Sequence, residues 1–222
     1  FLSLLGMWGQ ARAQRKRQEV QAAEQERVAT QLGQSVTEMK LFLRVAYSLP
    51  PHDLGRDYNV VRRRLAMLES QLTESDSYLH GTIDSALGQG YLALQEHDEA
   101  VTHLQRAIDQ GENSTGTHLA LAEALLRIFQ SKQKDVLNQF EPDEAKRKIA
   151  SLRDLYVVRA RRELQLVKQA GAPSPSYVDA LLLRYADKPD LDAALRMIRK
   201  AEEESPWTLE PLDQEFGIIG EL

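Results

Sequence analysis

The fold of this chain is decided by residues 87–107, which read LGQGYLALQEHDEAVTHLQRA, and by residues 181–201, which read LLLRYADKPDLDAALRMIRKA. The two stretches align without a gap at an offset of 94 residues. Within each stretch, apolar residues recur at helical spacing on both sides of a polar break. Each stretch therefore predicts two helices that cross closely at small residues. The aligned pairs are Leu87 with Leu181, Gly88 with Leu182, Tyr91 with Tyr185, Ala100 with Ala194, Leu104 with Ile198, and Ala107 with Ala201.

These positions resemble the consensus of the tetratricopeptide repeat (TPR) family, in which Leu, Gly and Tyr mark the first helix and two Ala flank an aromatic residue in the second. The first unit spans residues 81–114, with Asp84 in place of the usual Trp and Leu104 in place of the aromatic residue. The second unit spans residues 175–208 and has Pro206 at the closing position, where proline stops the second helix. The resemblance implies stacked helical hairpins that bury a continuous core.

The unit between these two repeats is larger than a standard repeat. An offset of 94 residues exceeds two periods of 34 by 26, and residues 115–174 must hold this surplus. Pro142, which is followed by two acidic residues, predicts a helix start at the turn of the hairpin. About thirteen extra residues in each arm, at 1.5 Å each, predict a projection of about 20 Å beyond the neighbouring repeats.

The segments that flank the repeats are also predicted to be helical. Residues 10–48 lack proline and predict one long stalk helix, which packs only through its second half because large apolar residues are sparse before Arg27. Residues 49–80 begin with a proline break and predict a connecting helix, whereas residues 209–222 predict a capping helix or a truncated repeat. The fold prediction is an all-α protein: a TPR-like helical-hairpin solenoid with an elongated middle hairpin, preceded by a long N-terminal helix.

The first nine residues are apolar and are followed by Arg12, Arg15, Lys16 and Arg17. Residues 1–9 are too short to cross a membrane, which takes about 20 residues, so they are predicted to be the remnant of a transmembrane helix or an ordinary apolar helix start. The first alternative predicts a membrane-anchored protein whose remaining part lies on an undetermined side.

The bulk composition disfavours several classes of function. A net charge of −5 gives no global positive field, so nucleic acid is not expected as a partner. The chain has no cysteine, and its five histidines are not spaced as metal ligands on a helix. Residues 87–91 carry glycines inside a helical pattern and are interpreted as a helix crossing rather than a phosphate loop. No catalytic residue, metal or cofactor is therefore predicted for this chain.

The family resemblance implies a partner-binding surface. TPR proteins hold a peptide or helix of another protein on the concave face of their first helices, and the matching positions here predict such a site. The usual Lys and Asn of the carboxylate clamp are replaced by Ser85 and Gln89, which disfavours clamp binding. The predicted concave-face residues are Thr82, Ser85, Gln89, Leu92, Leu119, Glu123, Arg127, Asp179 and Leu183.

The second arm of the enlarged unit is locally basic in an acidic protein. This charge excess predicts a patch for an acidic partner, with the solvated face of a protruding helix as the alternative. The residues of the predicted patch are Lys146, Arg147, Arg153, Arg159 and Arg162.

The whole layout resembles the region that follows the membrane span in bacterial serine/threonine kinases with TPR tails, which implies a bacterial inner-membrane location. The expected function is a non-catalytic protein-protein interaction module, and it would be the regulatory tail of a membrane kinase if that resemblance holds. The alternative is a structural spacer that forms a homodimer through the stalk helix.

Overall fold

A computed structural model describes the backbone of residues 2–48, 53–172, 174–204 and 218, and all the regular structure in these ranges is helical. Side chains of α1 are described at residues 12 and 14–47. The predicted all-α class is therefore confirmed. The elements are α1 (Leu2–Ser48), α2 (Leu54–Glu74), a 3-10 turn (Ser77–Leu79), α3 (His80–Ala93), α4 (His97–Asp109), α5 (Thr115–Gln139), α6 (Pro142–Leu152), a π turn (Arg153–Val157), α7 (Val158–Ala170), α8 (Pro175–Arg184) and α9 (Leu191–Glu204).

The helices pack in chain order as hairpins. α1 contacts α2, α3 pairs with α4, α5 pairs with α7, and α8 pairs with α9. Each later hairpin also contacts the one before it, because α3 touches α1 and α2, α5 touches α3 and α4, and α8 touches α7. The sequence indicated that the second half of α1 packs on the helix that follows it, and in the structure this half lies against α3 as well as α2.

Two glycines set the spacing of the helices around α3. A Cβ on Gly88 would overlap the side chain of Leu104 and lie 3.0 Å from its backbone nitrogen, so α4 approaches α3 at this point. A Cβ on Gly90 would overlap the side chain of Leu65 in α2. The glycines of residues 87–91 are thus helix-crossing residues, as the sequence indicated.

The long helix α1 has an exposed first half and a packed second half. Val20 is 60% exposed, whereas Met39 and Leu43 are buried against α2 and α3. Asp53 begins α2, because its carboxylate accepts a hydrogen bond from the Gly55 backbone N–H at 2.9 Å. No helix in the described part of the chain is both long and apolar enough to cross a membrane. The side chains of residues 1–9 lie outside the described residues.

The middle hairpin is longer than the α3–α4 and α8–α9 hairpins that flank it. α5 has 25 residues against 14 in α3, and its return arm, residues 142–170, is one continuous helical segment with a π turn inside it. Pro142 occupies the first turn of α6, where the hairpin turns. Among residues 131–152, Ala145 is the one buried residue, and Ile149 and Leu152 are partly buried against the core. The eleven extra residues in α5 correspond to about 16 Å, somewhat less than the predicted projection.

Two hydrophobic clusters form the core. The first joins α1, α2 and α3, and the second extends from α4 to α9 and includes Ile218. The repeated residues Ala100, Ala107, Ala194 and Ala201 are fully buried at the helix crossings. Pro206 and, apart from Ile218, the predicted cap at 209–222 lie outside the described residues.

Candidate interaction surfaces

Two of the predicted concave-face residues of α3, Thr82 and Ser85, face the protein interior. Thr82 and Ser85 are only 5% and 6% exposed. The Ser85 hydroxyl lies 2.7 Å from the hydroxyl of Thr117 in α5, and Thr82 donates to Glu112 at 3.4 Å. The prediction is corrected for Thr82 and Ser85: they are buried and hydrogen-bonded within the protein, so a partner cannot reach them.

The other predicted concave-face residues are partly exposed. Gln89 donates to the Ser85 hydroxyl at 3.3 Å, and Asp179 pairs with Lys168 at 2.8 Å. Leu92, Leu119 and Leu183 pack along the edge of the second core cluster. Glu123 and Arg127 are half-buried on α5, and each has an interaction within the protein. These residues lie on three different helices and include both apolar and polar side chains.

The predicted basic patch is divided in the structure. Arg153 donates to the backbone carbonyls of Tyr185 at 3.3 Å and Ala186 at 2.9 Å, and so satisfies carbonyl groups at the end of α8. Arg159 donates to Gln105 of α4. Lys146, Arg147 and Arg162 are exposed to solvent. The prediction is therefore corrected for Arg153 and Arg159, whose guanidinium groups link neighbouring hairpins.

Two neighbouring pockets lie along the outer part of α5, and we call them together the hairpin groove. Its distal part has a volume of 380 Å³ and its proximal part 300 Å³, and Lys132 and Asp135 line both parts. Lys148 lies 4.2 Å above the Phe140 ring in the distal part. The distal part is lined by Lys132, Asp135, Val136, Phe140, Lys148, Ser151 and Leu152, and the proximal part by Gln95, Glu96, His97, Asp98, Glu99, Ile128, Ser131, Lys132 and Asp135.

Large apolar side chains are exposed on the same hairpin. Leu137 of α5 is 59% exposed, Leu155 of the π turn 62%, and Val158 of α7 58%. Exposed apolar side chains mark a binding surface where they form one contiguous patch. The sequence located the turn of this hairpin but not the groove, because a groove depends on how the two arms pack.

A buried polar cluster lies at the position of the missing Trp. Asp84 is fully buried, and one of its carboxylate oxygens lies 2.7 Å from His103 Nδ1 and 2.6 Å from an Arg106 nitrogen. The His103 ring stacks on Tyr91 with centroids 5.2 Å apart, and the Tyr91 hydroxyl donates to Glu69 at 2.6 Å. We call these five residues the Asp84 cluster. It joins α2, α3 and α4.

The electrostatics of the Asp84 cluster favour a charged carboxylate. Burial disfavours the ionised form of Asp84, but the hydrogen bonds from His103 and Arg106 outweigh that effect, so the pKa of Asp84 is lowered. Burial and the hydrogen bond to Glu69 raise the pKa of Tyr91. A polar residue at a core position of the repeat was the available sequence signal for this cluster, since such a residue requires buried partners.

A second histidine, His118, also joins two helices. His118 of α5 lies 2.6 Å from Glu163 of α7, and both side chains are largely buried. Burial and the nearby charge of Arg127 lower the pKa of His97 at the start of α4. Within the described residues, no group of three or more metal-ligating side chains is placed to hold an ion.

Comparison of the chain with protein-family models, with curated proteins and with solved structures gave no match.

Proposed function

We propose that this chain is a TPR-like scaffold that binds a protein or peptide and carries no catalytic activity of its own. The repeated pattern and its small crossing residues support the TPR-like arrangement. Stacked hairpins of this type present long surfaces to a partner. The membrane location and the place beside a bacterial serine/threonine kinase are finer proposals, and they rest on the sequence layout.

The main support for the proposal comes from the outer end of the middle hairpin. Residues 131–152 contribute one buried side chain to the protein, yet they keep Val136, Phe140 and Leu152 along an open groove. A hairpin this long is not needed to cover its neighbours, because α3 and α4 make their crossing with 14 and 13 residues. Binding of another molecule gives these extra residues a role.

The hairpin groove is the first proposed binding site, and the accessible concave-face residues are the second. The distal part of the groove combines the apolar side chains of Val136, Phe140 and Leu152 with two lysines and one aspartate, which fits an apolar anchor with an acidic group of the partner near Lys148. The concave-face residues retain Leu92, Glu123 and Arg127 as the accessible set.

The test uses a photo-crosslinking amino acid at Leu137 of the full chain to identify the partner, which is then purified and titrated calorimetrically. Binding should weaken at least about tenfold for Lys148→Glu/Leu152→Ser, since this pair reverses one charge and removes one apolar contact in the distal part of the groove. If only the triple variant Leu92→Ala/Glu123→Gln/Arg127→Gln loses binding, the partner binds to the first helices of the hairpins and not to the hairpin groove. Unchanged binding in both variants would contradict the proposed sites.

The alternative is a structural spacer whose α1 forms a homodimer. The exposure of the first half of α1 supports this alternative, because an isolated helix in water gains from association. Sedimentation equilibrium of the full chain decides between them: a concentration-dependent dimer that is lost on removing residues 2–27 supports the spacer, and a monomer excludes it.

A further inference from the structure

The positive charge at the N-terminal end of α1 is segregated from the rest of the protein. Arg12, Arg15, Lys16 and Arg17 lie within six positions, and the first 18 residues contain no Asp or Glu. The remaining 24 basic and 33 acidic residues give the rest of the chain a net charge of −9. The rest of the chain is thus acidic overall, and the basic cluster is separate from it in the sequence.

The basic cluster lies on the exposed first half of α1, where Lys16 and Arg17 line an open groove together with Asp76 and Tyr78. All four side chains are exposed, and they lie on a helix whose packed part begins only near Leu32. The contact that ties the intervening turns to the body is the Tyr78 hydroxyl, which donates to Glu24 at 2.6 Å. The cations are therefore presented about 20 Å or more beyond the first buried turn of α1, at 1.5 Å per residue.

We infer that residues 12–17 bind the surface of a membrane rich in anionic lipids. Clustered Lys and Arg next to an apolar segment are attracted to anionic headgroups, and residues 1–8 supply six apolar side chains by sequence. Nucleic acid is the less suitable polyanion, because the cluster spans only about 8 Å of helix and would neutralise few phosphates. This inference does not depend on what the hairpins bind.

The test measures partition of the full chain onto vesicles of phosphatidylcholine alone and onto vesicles that contain about 30% phosphatidylserine, near the anionic content that gives a strong surface potential. We expect binding to the anionic vesicles that falls with added salt, because the interaction is screened. Each cation contributes roughly fivefold, so Arg12→Gln/Arg15→Gln/Lys16→Gln/Arg17→Gln should lose on the order of several hundredfold.

A matched control changes four exposed cations of the middle hairpin, Lys134, Lys146, Arg147 and Arg162, to Gln. This variant has the same net charge as the test variant and should retain binding. Circular dichroism of both variants checks that they remain helical. Equal partition onto neutral and anionic vesicles, equal losses in the two variants, or binding of duplex DNA as strong as that of anionic vesicles would overturn the inference.

Discussion

At the residue scale, the distance between α3 and α4 depends on the absence of one side chain. Gly88 faces Leu104 so closely that a Cβ has no room, whereas Gly33, on the exposed side of α1, has no atom within 4 Å of a Cβ position. The two glycines therefore have opposite effects on the free energy of unfolding when a methyl group is added. Comparing alanine substitutions at the two glycines separates the effect of the close helix crossing from the effect of helix propensity.

Gly88→Ala should lower the free energy of unfolding by about 1–3 kcal/mol, because the added methyl overpacks the crossing. Gly33→Ala should raise it by about 0.5–1 kcal/mol, because alanine is the better helix former. Urea denaturation of both variants measures the difference. A Gly88→Ala protein at least as stable as Gly33→Ala would show that the helices do not approach closely here.

Asp84 makes stability depend on acid pH. Its folded pKa lies below its ordinary value of 3.8, so the stabilisation from the charged carboxylate is complete above that value and is lost as the pH falls through the folded pKa. Asp84→Asn should destabilise the protein by about 2 kcal/mol at pH 7, because Arg106 and His103 lose a charged acceptor. Chemical denaturation from pH 7 to pH 2 should show this difference shrinking below about pH 4. A constant difference would contradict the assignment.

At the scale of elements, the middle hairpin combines features that the sequence shows and features that it hides. The turn at Pro142 and the extra length were predicted, because proline and the repeat period are visible in the sequence. The surplus is divided unequally, since α5 exceeds α3 by 11 residues and the return arm of 29 exceeds α4 by 16. The π turn at Arg153–Val157 was not predicted, because no residue type specifies it, and it coincides with the attachment of Arg153 to the end of α8.

The predicted surfaces also depended on contacts that the sequence does not show. The period identified which residues of α3, α5 and α8 occupy equivalent places, but it could not show that Ser85 and Thr117 face each other across the hairpin boundary. The basic patch failed at Arg153 and Arg159 for a related reason. An arginine side chain is long enough to reach a neighbouring element, so its position in the sequence does not fix what it contacts.

Shortening the hairpin separates its packing from its binding role. Replacing residues 131–152 with a short Gly-Asn linker should lower the unfolding temperature less than Leu164→Ala does, because Ala145 is the one buried side chain removed and Ile149 and Leu152 are only partly buried. The same change should abolish binding of a partner that uses the hairpin groove. Leu164→Ala, at a fully buried site of α7, is the control and should cost about 2–5 kcal/mol. A large loss of stability in the shortened protein would show that the end of the hairpin supports the fold.

At the scale of the whole molecule, stability is distributed unevenly along the chain. The described hairpins share two hydrophobic clusters, whereas residues 14–27 of α1 are exposed apart from the partly buried Glu24. Local opening of a helix costs little where few apolar contacts are lost. The first half of α1 should therefore open far more often than the rest.

Hydrogen exchange followed by mass spectrometry should show this division. Amides of residues 14–27 should exchange at least about a hundredfold faster than those of residues 32–46, because only the latter are held by buried side chains. The same experiment on Tyr78→Phe tests the tie to Glu24, and exchange near Glu24 should become faster still. Uniform slow exchange along α1 would instead indicate an association that covers its first half.

Because α1 is uninterrupted, it fixes the side of the helix on which the basic residues lie as well as their distance from the buried turns. Because 47 residues form one helix, the basic end and the buried turns around Met39 share a single rotational phase of about 100° per residue. Two residues inserted after Arg27 would swing the basic end about 200° around the axis, whereas seven would return it to within about 20° and displace it by about 10 Å. The number of residues in α1 therefore sets which side of the hairpin array faces a surface held by that end.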